Sequence, residues 1–152
     1  MEVFTDGSCI NNGGKYPKAG IGIYFGNNDT RNVSKQIIGK QSNNTAELIA
    51  IIEVFDILKN EINNNSSVII YSDSEYSINS FTKWGIEWEK NNWKKKSNGT
   101  IKNLLLIQQG FYLLKKYPNV KLSHVKAHTG NNDRLSIGNS MADQLAYNSI
   151  TQ

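Results

Sequence analysis

Polar and apolar positions alternate from the first residues. In EVFTDGSC, Val3 and Thr5 point one way and Glu2, Phe4 and Asp6 the other, until Gly7 and Ser8 end a predicted strand at a turn. AGIGIYFG, residues 19 to 26, reads as a second strand, the NND after it as a tight turn, and RNVSKQIIGK, roughly 31 to 40, as a third. Three strands in succession predict an antiparallel meander. From Asn44 the period becomes helical, and TAELIAIIEVFDILKNEI aligns Glu47, Ile51, Val54, Phe55, Leu58 and Ile62 on one stripe before the NNNSS break. VIIYSD, 68 to 73, is a short apolar run typical of a buried central strand. The helix before it provides a right-handed crossover, which makes this strand parallel to the first. Residues 74 to 93 read as one helix or two, KKKSNGT as a loop and 101 to 117 as a further helix. NVKLSHVKA is the last strand, with Val120, Leu122 and His124 alternating against Lys121, Ser123 and Val125. HTGNNDRLSIG reads as loop and NSMADQLAYNSI as a terminal helix. The predicted class is α/β, a five-stranded mixed sheet flanked by helices.

Composition narrows this to one domain over 1–152, because 38% hydrophobic residues can bury a core and no linker, repeat or second domain is visible. With 20% charged residues the chain is too ordinary to be disordered, and no stretch is long and apolar enough to span a bilayer. Cys9 is the single cysteine, so no internal disulfide forms, and MEVFT lacks the basic and apolar regions of a secretion signal. An intracellular protein is expected, cytoplasmic or nuclear. The net charge of +4 is unevenly spread: residues 83 to 102, KWGIEWEKNNWKKKSNGTIK, hold six lysines and all three tryptophans. Such a segment is either a solvated lysine-rich face or a contact for a polyanion.

Four acids stand out. Asp6 and Asp73 fall near the C-terminal ends of strands that this topology makes neighbours, where ligands of open α/β sheets gather, although an aspartate ending a strand is equally a turn former. Glu47 heads the buried stripe of its helix, where an ionised carboxylate needs a partner; a first-turn glutamate favoured by the helix dipole is the alternative. Asp143 lies one turn after Asn139 and borders the core face of the last helix, unless it is a solvated or capping residue. Carboxylates from two strands and two helices, without cysteine pairs or histidine-ligand spacing, suit a hard divalent cation, magnesium before zinc. Two such ions would activate a water and stabilise the leaving oxygen of a phosphodiester. His124 reads as a strand histidine among core positions, whereas His128 opens a glycine-containing loop and is free to act.

TDGSC, SNNTAEL, YSDSEY, VKAHTG and GNSMADQLA, in this order and spacing, resemble ribonuclease H of type 1 across essentially the whole chain. The resemblance implies the ribonuclease H-like fold and an endonuclease that cuts the RNA strand of RNA/DNA hybrids with two Mg²⁺ ions, for which Mn²⁺ can substitute. It leaves 5′-phosphate and 3′-hydroxyl ends. Carried over motif by motif, Asp6, Glu47, Asp73 and Asp143 are the metal-binding acids, and His128 is the mobile-loop histidine of proton transfer or product release. Asn12, Asn43 and Asn44 match positions that test RNA 2′-hydroxyls in the minor groove, and Lys40, Ser42 and Asn103 a pocket for a DNA-strand phosphate. The tryptophan-lysine segment resembles the basic protrusion of cellular members, with Trp84 and Trp88 against DNA sugars and Lys94, Lys95 and Lys96 on phosphates. A monomer without the separate hybrid-binding domain of many eukaryotic members is expected.

This sequence departs from the pattern at three places: Glu75 replaces a common glutamine, NNDRLS lengthens the loop after His128, and Ser140 replaces a common glutamate. None removes a proposed catalytic group. Rival readings are another two-metal nuclease, a reverse-transcriptase domain, or a hybrid-binding module without catalysis.

Overall fold

The computed structural model describes residues 1–151. Strands β1 (Glu2–Ile10), β2 (Lys18–Tyr24), β3 (Val33–Gln36), β4 (Val68–Ser72) and β5 (Val120–His124) form one sheet in the order β3-β2-β1-β4-β5. β1 to β3 are the predicted antiparallel meander, and β4 and β5 add in parallel. The helices are α1 (Asn43–Ile57), α2 (Lys59–Asn63), α3 (Glu75–Phe81), α4 (Lys83–Lys90), α5 (Leu104–Lys116) and α6 (Arg134–Asn148). Among the described residues no helix is long and apolar enough to cross a membrane.

Alternation in β1 loads both faces of the sheet. Val3 joins Ile21, Ile23 and Ile70 beneath Leu48, Ile51 and Val54 of α1, with Phe81 and Ile107 extending that core. Phe4, on the opposite face, stacks on Tyr71 at 5.0 Å and packs with Val125 and Ala142 of α6. α6 lies so close to β2 that a Cβ on Gly22 would meet the Ala146 nitrogen at 2.6 Å, so only glycine admits the helix there. The six-residue stripe from Glu47 to Ile62 is buried throughout, although the helix is interrupted at Leu58 and resumes as α2.

Several boundaries differ from the reading of the sequence. β3 is confined to four residues, since Asn32 closes the preceding turn by accepting from Phe25 N–H and donating to the Gly26 carbonyl. The 74 to 93 segment is two helices, broken at Thr82, whose hydroxyl donates to the Ile78 carbonyl at 2.6 Å. His124 ends β5 exposed to solvent; it is not a core position. The largest difference is at α6, which starts five residues before the predicted Asn139: Asp133 caps it by accepting from Ser136 N–H, so much of the lengthened NNDRLS loop is the cap and first turn of a helix.

Candidate active site: a carboxylate cluster beside a basic groove

Register brings the first two acids together. Thr5 pairs with Ser72 in the parallel β1–β4 ladder, so Asp6 and Asp73 follow at equivalent places on neighbouring strands. β4 stops at Ser72, but β1 runs on to Ile10 against β2, so Asp6 lies in mid-strand and not near its end as expected. The third acid arrives from above: Gly7 N–H is shared between Asp6 Oδ1, at 2.9 Å, and Glu47 Oε1 in the first turns of α1. Oxygens of Asp6, Glu47 and Asp73 all lie within 4.8 Å of one another. Asp143 reaches the Asp6 carboxyl from α6 but stands outside this closest group of three. Asn139, one turn before Asp143, donates its side-chain amide to Asp73 at 3.2 Å while its own carbonyl oxygen is buried without a partner.

Like charges in a dry place set the electrostatics. Asp6 is 4% exposed and Glu47 6%. Burial raises the Asp6 carboxyl far above its ordinary range, and Glu47 and then Asp73 raise it further. Burial also raises Glu47; its hydrogen-bonding contact with Asp6 and the Gly7 N–H oppose that, while Asp73 adds to it. The lysine and arginine ion pairs among the described residues all lie elsewhere, so no side-chain cation offsets the cluster. Oxygen-only donors, two of them buried and none paired with a cation, fit a hard divalent ion.

Beside the acids a groove of about 520 Å³ is lined by Asn12, Lys40, Ser42, Asn43, Asn44, Trp84, Trp88, Lys95 and Asn103, which places nine of the eleven residues expected to touch substrate on one surface. Tyr76, Ile101 and Lys102, to which the sequence assigns no individual contact, complete it. Asn103 begins α5 in the left-handed region at φ 59° and turns its amide into the groove, accepting from Thr45 Oγ1 at 3.2 Å and donating to the Tyr76 hydroxyl at 3.1 Å. Ser42 caps α1 through Thr45 N–H, and Asn12 Oδ1 accepts from Asn43 N–H. Trp84 and Trp88 sit one turn apart on α4, ring centroids 5.9 Å apart.

Lys94 and Lys96 lie beyond the groove, with Lys95 on a turn closed by Lys95 N–H to the Gly99 carbonyl and Asn98 N–H to the Lys95 carbonyl. Trp93 anchors that turn. It packs edge-on against Phe111 at 5.3 Å and donates Nε1–H to the Tyr112 hydroxyl, although its backbone and that of Asn92 are left-handed. On the other side of the acids, His128 and Asp143 line a second groove of about 300 Å³ between the 128–132 loop and α6.

The RNase H family model matches residues 1–151 of this chain. The chain belongs to the RNase H family. It is 41% identical to Ribonuclease H of Schizosaccharomyces pombe over 145 residues, covering 95% of this chain and 50% of that protein. Against Ribonuclease H1 of Homo sapiens the identity is 33%, with 99% and 50% covered. Against Ribonuclease HI of Pasteurella multocida it is 36%, with 96% and 86% covered. The chain thus spans about half the length of the first two relatives. Among solved structures, the PFV RNase H domain superposes with a TM-score of 0.75 at 24% identity, covering 98% of this chain and 93% of that one. LC11-RNase H1 in complex with RNA/DNA hybrid gives a TM-score of 0.61 at 20% identity, covering 98% and 95%. At these identities the likeness shows the RNase H fold.

Proposed function

We propose that this RNase H family chain is an endonuclease that hydrolyses the RNA strand of RNA/DNA hybrids, leaving 5′-phosphate and 3′-hydroxyl ends. The observation that carries the reading is the uncompensated, mostly buried triad of Asp6, Glu47 and Asp73 opening beside a basic, aromatic groove. Asp6, Glu47 and Asp73, with Asp143 at the margin, would hold two Mg²⁺ ions; Mn²⁺ has the same preference for oxygen donors. Bound there, the ions would lower the pKa of an attacking water and stabilise the leaving 3′ oxygen. Asn139 keeps the Asp73 carboxylate turned toward the cluster. His128, across its groove from Asp143, moves a proton at its ring nitrogen or eases product away.

Substrate choice is assigned to the groove. Asn12, Asn43 and Asn44 present amides to RNA 2′-hydroxyls, the group that separates RNA from DNA. Lys40, Ser42 and Asn103 seat a DNA-strand phosphate, Trp84 and Trp88 lie against DNA sugars, and Lys94 to Lys96 neutralise further phosphates. The reading favours a monomer, since one chain supplies every group named. Incubation with Mg²⁺ and, separately, hybrid, duplex RNA and duplex DNA tests it: internal cuts in the RNA of the hybrid alone are expected. Asp6→Asn and Asp73→Asn should nearly abolish cutting while hybrid binding in Ca²⁺ persists. Near-normal turnover in both variants would remove these acids from the site.

A further inference from the structure

The segment NNDRLS, an insertion relative to the family pattern, falls between two groups of the proposed site, His128 and Asp143. It does not simply add slack. His128 and Gly130 both have left-handed backbone, at φ 51° and 70°, which folds the loop back on itself. Inside that fold Thr129 Oγ1 accepts from Asn131 N–H at 3.1 Å and donates to Ser136 Oγ at 2.9 Å. Ser136 Oγ in turn donates to Asp133 Oδ1 at 2.7 Å, while Ser136 N–H donates to Asp133 Oδ2. The chain of hydroxyls therefore runs from the loop into the cap of α6.

Its direction is set by its end. An ionised carboxylate only accepts, so Ser136 must donate to Asp133 and is left with its lone pairs facing Thr129. The hydroxyl and the N–H of Ser136 together hold the Asp133 carboxyl below its ordinary range, which keeps that end charged. α6 is the same helix that carries Asn139 and Asp143, with Asn139 bonded to Asp73. A loop tied to the first turn of α6 is thus tied to the helix that carries Asp143 and, through Asn139, holds Asp73.

We propose that Ser136 is a positioning residue for His128: through Thr129 it fixes the 128–131 loop to the capped first turn of α6, and so holds the His128 ring over the groove it shares with Asp143. His128 touches the reacting groups and Ser136 acts only through it. The inference rests on the hydrolase reading given above. It assigns a purpose to the inserted residues: Asp133 and Ser136 both belong to the NNDRLS segment, so the longer loop carries its own brace.

Ser136→Ala removes the link while leaving the backbone bond of the cap in place, and Ser136→Thr restores a hydroxyl. With hybrid and Mg²⁺, kcat of Ser136→Ala should fall roughly three- to tenfold, the scale of one net hydrogen bond, with KM unchanged, melting temperature lowered by no more than about 4 °C and Ser136→Thr near wild type. In a His128→Ala background the same change should have no further effect on kcat. In metal-free protein, amide hydrogen exchange at Asn131 should quicken in Ser136→Ala and not in Ser136→Thr. An equal kcat loss with and without His128, or an unchanged kcat together with unchanged Asn131 exchange, would overturn the proposal. If the wild-type chain cuts no hybrid, the hydrolase reading fails by itself, and the metal-free exchange comparison decides whether Ser136 braces the loop.

Discussion

Gly7 donates its backbone N–H to the Glu47 carboxylate, forty positions away in the chain, while also serving its neighbour Asp6. A Cβ on Gly7 would lie 2.5 Å from the Glu47 nitrogen and 2.8 Å from the Ala46 carbonyl carbon, both backbone atoms that have no freedom to yield. The missing side chain is what lets α1 descend onto β1 and bring a helix carboxylate to two strand carboxylates. Gly7→Ala should therefore lift α1 and cost about 1 to 3 kcal/mol of stability as overpacking. Metal affinity should fall alongside it. Calorimetric titration of Mn²⁺ into the variant checks this, and unchanged affinity would separate the glycine from the site.

The acids should destabilise the metal-free fold. Burial raises both carboxyls, with Glu47 and Asp73 raising Asp6 further and Asp73 raising Glu47, so each favours folding while protonated, and that contribution is lost as pH rises from the ordinary carboxylate range near 4 through neutrality. In EDTA the melting temperature of the wild type should fall over that range relative to Asp6→Asn, and Asp6→Asn should be the more stable protein at pH 8. Mg²⁺ should narrow the difference. Parallel melting curves for the two proteins from pH 5 to 8 would refute the assignment.

Recognition of RNA should depend on the amides in the groove. Asn12 and Asn43 are already linked, Asn12 Oδ1 accepting from Asn43 N–H at 3.1 Å, so the pair presents itself as a unit. Alanine at Asn12, Asn43 and Asn44 together should erase most of the preference for hybrid over duplex DNA in binding, because a deoxynucleotide offers no 2′-hydroxyl to these amides. Retained preference in competition binding would move the 2′-hydroxyl test elsewhere.

The basic turn should reveal itself through salt. Each lysine on a phosphate adds about 0.9 to the slope of log affinity against log salt for a B-form duplex. Changing Lys94, Lys95 and Lys96 to Ala should weaken hybrid binding and flatten that slope, while Trp84→Ala or Trp88→Ala should weaken binding with the slope nearly unchanged. Trp93→Ala is distinct: it removes the ring packed on Phe111 and Tyr112 that anchors the turn, so it should cost about 2 to 3 kcal/mol of stability, below the loss at a fully buried tryptophan, and flatten the slope as well. An unchanged slope in the triple lysine variant would make the segment a solvated face.

What was legible in the chain is what depends on local pattern. Period two in EVFTDGSC and period 3.6 from Asn44 specify strand and helix, the apolar run before Asp73 specifies a buried strand, and the crossover rule then makes β4 parallel to β1. Strand ends and the helical stripe single out Asp6, Asp73 and Glu47 as candidate acids, and the resemblance to ribonuclease H of type 1 implies the groove residues. Distances are another matter, because they arise from pairing register and close approach. Nothing in TDGSC tells that Thr5 opposes Ser72, that Gly7 admits α1, or that Asp143 stands back from the tight group of three. The roles of Asn139, Tyr76 and Trp93 were hidden for the same reason: each is an ordinary helix or loop residue until a partner from a distant segment arrives, Asp73, Asn103 and Phe111 respectively. In NNDRLS, asparagine and aspartate suggested loop by composition, yet Asp133 accepting from Ser136 N–H begins a helix there. A cap and a turn former use the same side-chain chemistry, and which one forms is decided by whether the following face has a core to bury. Here Ala142 and Ala146 of α6 are buried against the sheet, and only the assembled fold provides that surface.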